Sequence, residues 1–395
     1  MKKKILFVME SLGIGGAEKS LVTLLSQFDY LKYDVDLFLF RPKGEFMNLL
    51  PKDVNVLEAP KEFMMFDLRP AESIKQILKE KSMTLFINRF MFLINLSIFR
   101  YILKKEYIGW KYISRTFTNI EKEYDVTVGF LEKKSIYFIV DKVKARKKIG
   151  WIHIDYEKIE NSRNEDKRYF EKLDNIITVS NHCEEVLKKE FPYYESKIKV
   201  IGNIISPTLI NEMAIERPKE WISIVKENIT ICTVCRLTLQ KGIDIAIECC
   251  DKLVAKSLDI KWIVVGDGCE MEKLTKIIND KKLADRFILI GNRSNPYPYI
   301  KNADIYVQPS RWEGFGITVA EAKVLGLPIV VSNIPEFVEQ IEDNITGVIY
   351  TDINDMVEKI EKLILYKDVR EKLTENLKKL NMNNIDELSK LEELF

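Results

Sequence analysis

The chain has 395 residues, of which 46% are apolar and 31% charged, and its formal net charge is +1. Its length suffices for two or three domains, and its composition excludes collagen-like, disordered and disulfide-stapled classes. The balanced charge argues against a nucleic-acid-binding protein, which usually carries a clear basic excess. The two halves nevertheless differ, because residues 1–200 carry a net charge of +7 and residues 201–395 one of −6.

The first half alternates strand and helix signals. Three lysines at its start precede only five apolar residues before Glu10. That run is too short for a signal peptide, so we predict a buried first strand. The alternation is typical of βαβ units in a parallel sheet. The predicted strands are Ile5–Met9, Val35–Phe40, Val54–Leu57, Tyr124–Phe130, Lys148–His153, Ile176–Val179 and Lys199–Ile201.

The segment of residues 69–115 is strongly basic, with ten Lys or Arg and three acidic residues. Its apolar run, Phe90–Phe99, has ten residues, whereas a membrane-spanning helix needs roughly 20. The mixture of basic and aromatic side chains is typical of a segment that lies on an anionic membrane surface. A core helix with a solvated basic face would have the same pattern, so both interpretations stay open.

The second half repeats the alternation after a break that follows Asn203. Residues Ser206–Asn228 contain two prolines and no clean period, which indicates a linker with a short connecting segment. From Asp355 to Phe395 the pattern is helical. The predicted strands of this half are Ile229–Val234, Lys261–Val265, Phe287–Ile290, Ile305–Gln308, Ile329–Val331 and Gly347–Tyr350.

These patterns predict an α/β protein with two doubly wound, Rossmann-like domains and a helical C-terminal tail. The expected bounds are 1–204 for the first domain, 205–370 for the second and 371–395 for the tail, which could pack back on the first domain.

Four groups of residues follow predicted strands, at the edge where open parallel sheets bind ligands. Gly15 and Gly16 open a helix after the first strand, where backbone amides can approach a phosphate or a sugar. A plain tight turn is the alternative. Arg236 and Lys241 follow the first strand of the second half and precede a helix, which suits a diphosphate. Two unrelated surface cations are the alternative there.

The run Ser310–Ala322 has the most informative spacing, because Glu313 and Glu321 lie eight residues apart around a Gly-x-Gly loop and a helix start. Free amides at that helix start would face a phosphate. Glu321, one turn into the helix, can reach ribose hydroxyls, and Glu313 on the loop can reach a second ring. The fourth group is His153, which ends a strand. A lone histidine there is either a satisfied core residue or a functional one, and the position alone decides neither.

Taken together, these motifs resemble those of retaining GT-B glycosyltransferases of family 4, the group 1 transferases. The resemblance covers most of the chain and is densest from Ile229 to Gly347, while residues 60–120 match no motif. The motifs that match are Thr178-Val179-Ser180-Asn181, Ile201-Gly202-Asn203, Val265-Gly266-Asp267-Gly268, Ala303-Asp304-Ile305 and the Glu-x7-Glu pair, Glu313 and Glu321.

The resemblance implies a nucleotide-sugar donor, with UDP expected, in a cleft between the two domains. It implies that Arg236 and Lys241 hold the diphosphate together with amides of Gly15, Gly16, Ile317 and Thr318. Glu321 would bind the ribose, and Glu313 with the backbone of Phe315 and Gly316 would bind the donor sugar. Arg293 would lie near the base. His153 would touch the donor sugar near the reacting carbon, which makes it and Glu313 the expected catalytic residues.

The same resemblance implies transfer of a hexose or N-acetylhexosamine with retention of configuration and without a metal or other cofactor. Fixed cations and a helix dipole can stabilise the leaving diphosphate. The Asp-x-Asp sequence here, Asp34-Val35-Asp36, lies at a strand entry, the wrong end for a metal-binding motif. The basic segment favours a lipid-linked saccharide acceptor and an anionic membrane surface as partners, and hence a cytoplasmic protein peripheral to the inner face of the membrane.

Other functions share parts of this pattern. A GT-B nucleotide-sugar epimerase would bind a similar donor, although the spacing of Glu313 and Glu321 disfavours it. A soluble glycogen- or sucrose-type transferase would make residues 69–115 part of the core. A non-catalytic, transferase-like partner subunit is a third alternative, against which the complete set of site residues argues.

Overall fold

The computed structural model describes residues 2–57, 59–80, 82–97, 109–116, 118–158, 163–216, 229–380, 382 and 385–395. These residues form two compact units. The first is Met1–Ile204 together with Asp386–Phe395, and the second is Ile205–Ile385.

The first unit is built on a parallel sheet of seven strands in the order β3-β2-β1-β4-β5-β6-β7. Every residue of β1 from Ile5 to Met9 is fully buried, as expected for a central parallel strand covered on both faces. The strands are β1 (Lys3–Met9), β2 (Tyr33–Leu39), β3 (Asn55–Leu57), β4 (Tyr124–Gly129), β5 (Ala145–Ile152), β6 (Asn175–Thr178) and β7 (Ile198–Val200).

The helices of the first unit fall between these strands. Those described before Ile204 are α1 (Gly16–Ser26), α2 (Lys61–Asp67), α3 (Pro70–Glu80), α4 (Met83–Ser97), α5 (Trp110–Ile113), α6 (Lys134–Lys142), α7 (Arg163–Phe170) and α8 (Asn181–Glu190). The hydroxyl of Ser180 caps α8 by accepting a hydrogen bond from the amide of Cys183 at 3.2 Å. Such a cap satisfies one of the free amides at a helix start.

The second unit contains a parallel sheet of six strands in the order β10-β9-β8-β11-β12-β13. Its strands are β8 (Ile229–Val234), β9 (Ile260–Val265), β10 (Phe287–Leu289), β11 (Ile305–Gln308), β12 (Ile329–Ser332) and β13 (Val348–Tyr350). Its described helices are α9 (Pro207–Met213), α10 (Ile243–Ala255), α11 (Met271–Asp280), α12 (Tyr297–Lys301), α13 (Ile317–Val324), α14 (Pro335–Val338), α15 (Ile353–Leu365) and α16 (Lys367–Lys378). The predicted architecture of two doubly wound parallel sheets is therefore confirmed.

One predicted linker is partly helical. The hydroxyl of Ser206 accepts a hydrogen bond from the amide of Leu209 at 3.3 Å, and Pro207 occupies the first turn of α9. A serine cap followed by proline is a helix start, and the seven-residue helix is too short to show a period. The rest of the expected linker, residues 217–228, lies outside the described residues.

The last helix, α17 (Ile385–Glu393), packs on the first unit. The Glu387 carboxylate accepts a hydrogen bond from the amide of Gly202 at 2.6 Å. The Phe395 ring lies 6.0 Å from that of Phe28 and 5.7 Å from that of Tyr33. Leu391 is fully buried, so α17 is held on the first unit by apolar contacts and by the hydrogen bond to Gly202.

Candidate functional site

The loop between β11 and α13 holds the Glu-x7-Glu residues of the second unit. Gly316, which precedes α13, has a φ of 82°. A Cβ atom at this position would lie 2.5 Å from the Phe337 ring. The left-handed backbone and the close approach both require glycine here. The turn therefore presents the amides of Ile317 and Thr318 at the start of the helix, while the amide of Val319 donates to the carbonyl of Gly316 at 3.0 Å.

Lys241 and Glu313 form a close ion pair. The Lys241 Nζ lies 2.7 Å from one carboxylate oxygen of Glu313 and 2.6 Å from the other. The side chains are only 15% and 6% exposed, so both charges are largely removed from water. They meet because β8 and β11 are neighbours in the sheet, and the loops after them lie at the same edge.

A chain of buried hydrogen bonds continues from this ion pair into the sheet. The Ser310 hydroxyl donates a hydrogen bond to the Glu313 carboxylate at 2.6 Å, and the side-chain amide of Gln308 donates one to the Ser310 hydroxyl at 3.0 Å. The side-chain oxygen of Gln308 in turn accepts hydrogen bonds from the Tyr306 hydroxyl at 2.8 Å and from the Thr318 hydroxyl at 3.3 Å. A fully satisfied polar network of this kind fixes the geometry of its members. Sequence reasoning assigned no role to Gln308 or Ser310, although a glutamine that ends a buried strand is the available signal.

A second, bidentate ion pair holds the two loops together. The Arg311 guanidinium donates to both carboxylate oxygens of Asp244, at 2.8 and 2.7 Å, and it lowers the pKa of that carboxyl. The amide of Arg311 also donates to the carbonyl of Gln240 at 2.7 Å. Gly242 has a φ of 66°, and a Cβ atom on this residue would lie 2.0 Å from the carbonyl oxygen of Pro309. The position therefore requires glycine. The Lys241 loop and the Glu313 loop are thus one locked structure.

Glu321 is buried on α13 and faces a tyrosine that sequence reasoning missed. The Tyr297 hydroxyl donates to a Glu321 carboxylate oxygen at 3.1 Å. Burial, followed by the charge of Glu321, raises the pKa of Tyr297 well above its ordinary value. The phenol therefore stays protonated and holds the carboxylate in place.

The two remaining predicted cations of this unit differ in their surroundings. Arg236 is exposed directly after β8. The Arg293 guanidinium donates to the carbonyls of Ile290 and Asn292, at 2.6 and 2.9 Å, and to the Tyr299 hydroxyl at 3.1 Å. Arg293 therefore holds its own loop, and its placement near a base stays a prediction.

The predicted residues of the first unit are Gly15, Gly16 and His153. Gly15 precedes α1 with extended backbone, and a Cβ atom there would lie 2.1 Å from a carboxylate oxygen of Glu18. The structure therefore leaves no room for a side chain at Gly15 unless Glu18 moves. Gly16 is exposed at the first position of the helix.

His153 follows β5 and is enclosed by aromatic rings. Its ring centre lies 4.8 Å from that of Phe130 and 5.6 Å from that of Trp151. Burial lowers the pKa of His153 to about 3, while a hydrogen bond with the side chain of Asn203 acts in the opposite direction. Its amide donates to Glu132 at 3.4 Å, and burial raises the pKa of that carboxyl. The imidazole is therefore neutral at physiological pH.

Asp36, in the Asp-x-Asp sequence, is held by contacts within the first unit. Asp36 lies in β2 and is 1% exposed. Its carboxylate accepts hydrogen bonds from Tyr124 at 2.6 Å and from Asn55 at 2.9 Å, and it lies 2.9 Å from Lys122 Nζ.

The cations of the basic segment, residues 69–115, differ in their exposure to solvent. Among its ten cations, Arg69, Lys75, Lys79, Lys111 and Arg115 are exposed, whereas Arg89 is buried. The other four, Lys81, Arg100, Lys104 and Lys105, lie outside the described residues. Within the described parts of the chain, no helix is both long enough and apolar enough to span a bilayer.

Comparisons with known proteins agree with this fold and with the motifs of the second unit. Residues 216–380 match the family model described as glycosyl transferases group 1. The chain is 37% identical over 121 residues to the O-antigen biosynthesis glycosyltransferase WclY of Escherichia coli, covering 31% of this chain and 33% of that one. It is 27% identical over 214 residues to the capsular polysaccharide biosynthesis glycosyltransferase CapM of Staphylococcus aureus, covering 52% of this chain and 56% of that one.

The likeness to solved structures extends over nearly the whole chain. Anabaena HepE, in a complex with UDP and glucose, aligns with a TM-score of 0.70 and 16% identity over 99% of both chains. The GT-B fold and the resemblance to group 1 glycosyltransferases are therefore confirmed. The aligned parts span only 41% and 33% of the first two curated relatives.

Proposed function

We propose that this protein is a glycosyltransferase that moves a hexose or N-acetylhexosamine from a UDP-linked donor to a saccharide acceptor in bacterial cell-surface polysaccharide or glycolipid synthesis. The observation that carries this proposal is the locked pair of loops after β8 and β11. They combine Arg236, Lys241, Glu313 and the start of α13 within the stretch that matches the family model.

The charges of this site suit the departure of a diphosphate. Breaking the bond between the sugar and the diphosphate builds negative charge on the leaving group and positive charge on the sugar carbon. Arg236 and Lys241 stabilise the negative charge, together with the amides of Ile317 and Thr318 at the positive end of α13. These fixed charges remove the need for a divalent metal, so we infer that the reaction is metal-independent.

Two acidic residues orient the donor in this proposal. Glu313, held between Lys241 and Ser310, accepts hydrogen bonds from hydroxyls of the donor sugar beside the backbone of Phe315 and Gly316. Glu321, held by Tyr297, accepts them from the ribose. Because both carboxylates are already oriented, little ordering is required when the donor binds.

His153 contributes as a neutral imidazole, since the pKa of its ring is lowered to about 3. It contacts a hydroxyl of the donor sugar near the reacting carbon, with Gly15 and Gly16 on the same unit approaching the diphosphate. We infer a front-face reaction with retention of configuration. The acceptor oxygen bonds to the sugar carbon as the bond to the diphosphate breaks, and the proton of the acceptor hydroxyl passes to the diphosphate.

We further infer that the acceptor is a lipid-linked saccharide and that the protein works at the inner face of a membrane. The exposed cations of the segment of residues 69–115 support this part, and the similar proteins WclY and CapM are named for O-antigen and capsule synthesis.

A panel of nucleotide sugars tests the proposal directly. A ligand that binds only the folded protein raises its melting temperature, so UDP sugars should raise it and the same sugars without nucleotide should not. The donor that binds is then incubated with the protein, and nuclear magnetic resonance follows UDP release and the anomeric configuration of the product. Absence of both binding and UDP release across the panel would contradict the proposed function.

A further inference from the structure

The peptide that joins Phe315 to Gly316, in the turn before α13, is held by a residue outside that turn. The side-chain nitrogen of Gln340, in the turn that follows α14, donates a hydrogen bond to the carbonyl oxygen of Phe315. The same nitrogen donates to the carbonyl oxygen of Glu336 at 3.4 Å. A carbonyl oxygen can only accept a hydrogen bond, so it is the nitrogen of the Gln340 amide that faces both.

The backbone of Gln340 is fixed by two helices. Its amide donates to the carbonyl of Phe337 in α14 at 3.1 Å. Its carbonyl accepts a hydrogen bond from the Lys323 Nζ of α13 at 2.8 Å. The side chain that holds Phe315 therefore starts from a position that α13 and α14 determine together.

This hydrogen bond decides which group the turn presents. The carbonyl of Phe315 and the amide of Gly316 belong to one trans peptide, whose C=O and N–H point in opposite directions. Because Gln340 draws the carbonyl toward α14, the Gly316 amide points away from α14. If the peptide turned over, an acceptor would stand where the turn now has a donor.

The turn needs such a restraint because of its glycine. The Phe337 ring leaves no room for a Cβ atom at position 316, so the turn cannot carry a residue that restricts its own backbone. Glycine adopts positive and negative φ with similar ease, which makes rotation of the preceding peptide inexpensive. The hydrogen bond from Gln340 opposes that rotation.

We propose that Gln340 is a positioning residue for the donor sugar, which holds the Phe315 carbonyl so that the Gly316 amide donates to a sugar hydroxyl. Gln340 itself does not touch the donor. This inference rests on the proposed function, which assigns sugar binding to the backbone of Phe315 and Gly316. It adds a residue from α14 and its following turn, outside the Glu-x7-Glu loop, to the determinants of sugar binding.

Crystal structures of the free variants test this role without any ligand. Gln340→Leu removes the donor at similar volume, and Gln340→Glu sets carboxylate oxygens against the Phe315 carbonyl. In both, the peptide should be turned over or should occupy two orientations. The matched control is Val338→Ser, at a half-exposed residue of α14, which should keep the wild-type orientation. A wild-type peptide orientation in both Gln340 variants would overturn the proposal.

Calorimetry with UDP, UDP-glucose and UDP-N-acetylglucosamine tests the consequence for binding. In Gln340→Leu, the Kd of each UDP sugar that wild-type protein binds should rise roughly tenfold, the effect of losing about one hydrogen bond. The Kd of UDP should not change, because UDP has no sugar to meet the Gly316 amide. Equal losses for UDP and for UDP sugars would show a merely structural role, and unchanged values for all would also contradict the proposal. If wild-type protein binds none of the three, the proposed function fails, while the crystal structures still decide whether Gln340 holds the peptide.

Discussion

Lys241 Nζ lies within 2.7 Å of both carboxylate oxygens of Glu313, although 72 residues separate the two in sequence. The predicted phosphate-binding cation and the predicted sugar-binding carboxylate are therefore one unit. The diphosphate would meet a lysine that is already oriented, and the sugar a carboxylate whose charge is already balanced. Because both side chains are largely buried, we expect the pair to affect stability as well as the proposed binding of the donor.

Removing one member of this pair should destabilise the second unit more than removing both. Lys241→Met leaves a buried carboxylate with Ser310 as a remaining partner, and Glu313→Gln leaves a buried ammonium. Breaking a buried pair in this way costs about 3–5 kcal/mol. In urea unfolding, the double variant should therefore lose less stability than either single variant. Strictly additive losses would show that the two residues do not interact in solution.

Turnover should depend on the same two residues. We expect Lys241→Ala and Glu313→Ala each to lower the rate of transfer by roughly 10²–10³, the usual cost of losing one charge-stabilising group. The matched control is Lys256→Ala, because Lys256 pairs with Glu361 on the surface of the same unit and should retain wild-type turnover. Wild-type rates in folded Lys241→Ala and Glu313→Ala would remove both from the proposed site.

The position of this site along the chain was predictable, but its contacts were not. The strand ends and the Glu-x7-Glu spacing are local features that survive in the sequence, so the motif loops were placed correctly after β8 and β11. The contact between Lys241 and Glu313 depends on the order of strands in the sheet, which puts β8 beside β11, and strand order leaves no local signal. The hydrogen bonds of Gln308 and Ser310 depend on the same adjacency.

Helix α4 shows a different limit of sequence reasoning. Apolar residues lie on every side of this helix, so periodicity could not indicate which face is buried. The face was decided by Arg89, whose acceptors lie at the end of α2 and on α3. A charged residue in an apolar run is expected at the surface. The burial of Arg89 is favourable because the carbonyls freed at the end of α2 and the Ser73 hydroxyl on α3 accept its hydrogen bonds.

The His153 imidazole should remain neutral throughout the physiological pH range. Burial lowers its pKa to about 3, compared with about 6.5 in an unfolded chain. The chain has two histidines, so histidine-selective isotope labelling gives two ring signals, which His153→Gln and His182→Gln assign. The His153 signal should not titrate between pH 8 and pH 5. A midpoint near 6.5 would show an accessible, ordinary histidine.

The same shift links His153 to acid stability. Between about pH 6.5 and pH 3 the unfolded chain binds a proton at this residue and the folded chain does not. Stability should therefore be complete above pH 6.5 and fall as the pH is lowered toward 3. In His153→Gln this loss should be smaller, which urea unfolding at pH 7.0 and pH 4.5 measures. An equal pH dependence in both proteins would contradict the buried imidazole.

Chelation should leave the reaction unchanged. In the proposed reaction, Arg236, Lys241 and the start of α13 would supply the positive charge that a divalent cation supplies in metal-dependent transferases. Donor hydrolysis and transfer should proceed equally after dialysis against EDTA and after addition of Mg²⁺ or Mn²⁺. Loss of activity with chelator and recovery with either ion would show that the proposed cationic site is insufficient.

Tyr297 should affect donor affinity through Glu321. Its hydroxyl donates to the Glu321 carboxylate at 3.1 Å in a buried site, and a hydrogen bond to a charged group contributes about 1.5–3 kcal/mol. Tyr297→Phe keeps the ring and removes this donor, so Glu321 would no longer be oriented toward the ribose in the proposed complex. We expect the Kd for UDP, measured by calorimetry, to rise roughly tenfold, which corresponds to about 1.4 kcal/mol.

Tyr366→Phe, at an exposed tyrosine of the same unit, is the control and should bind UDP like wild type. If Tyr297→Phe is folded and binds UDP with unchanged affinity, the ribose is held elsewhere, and Glu321 serves only the packing of α13.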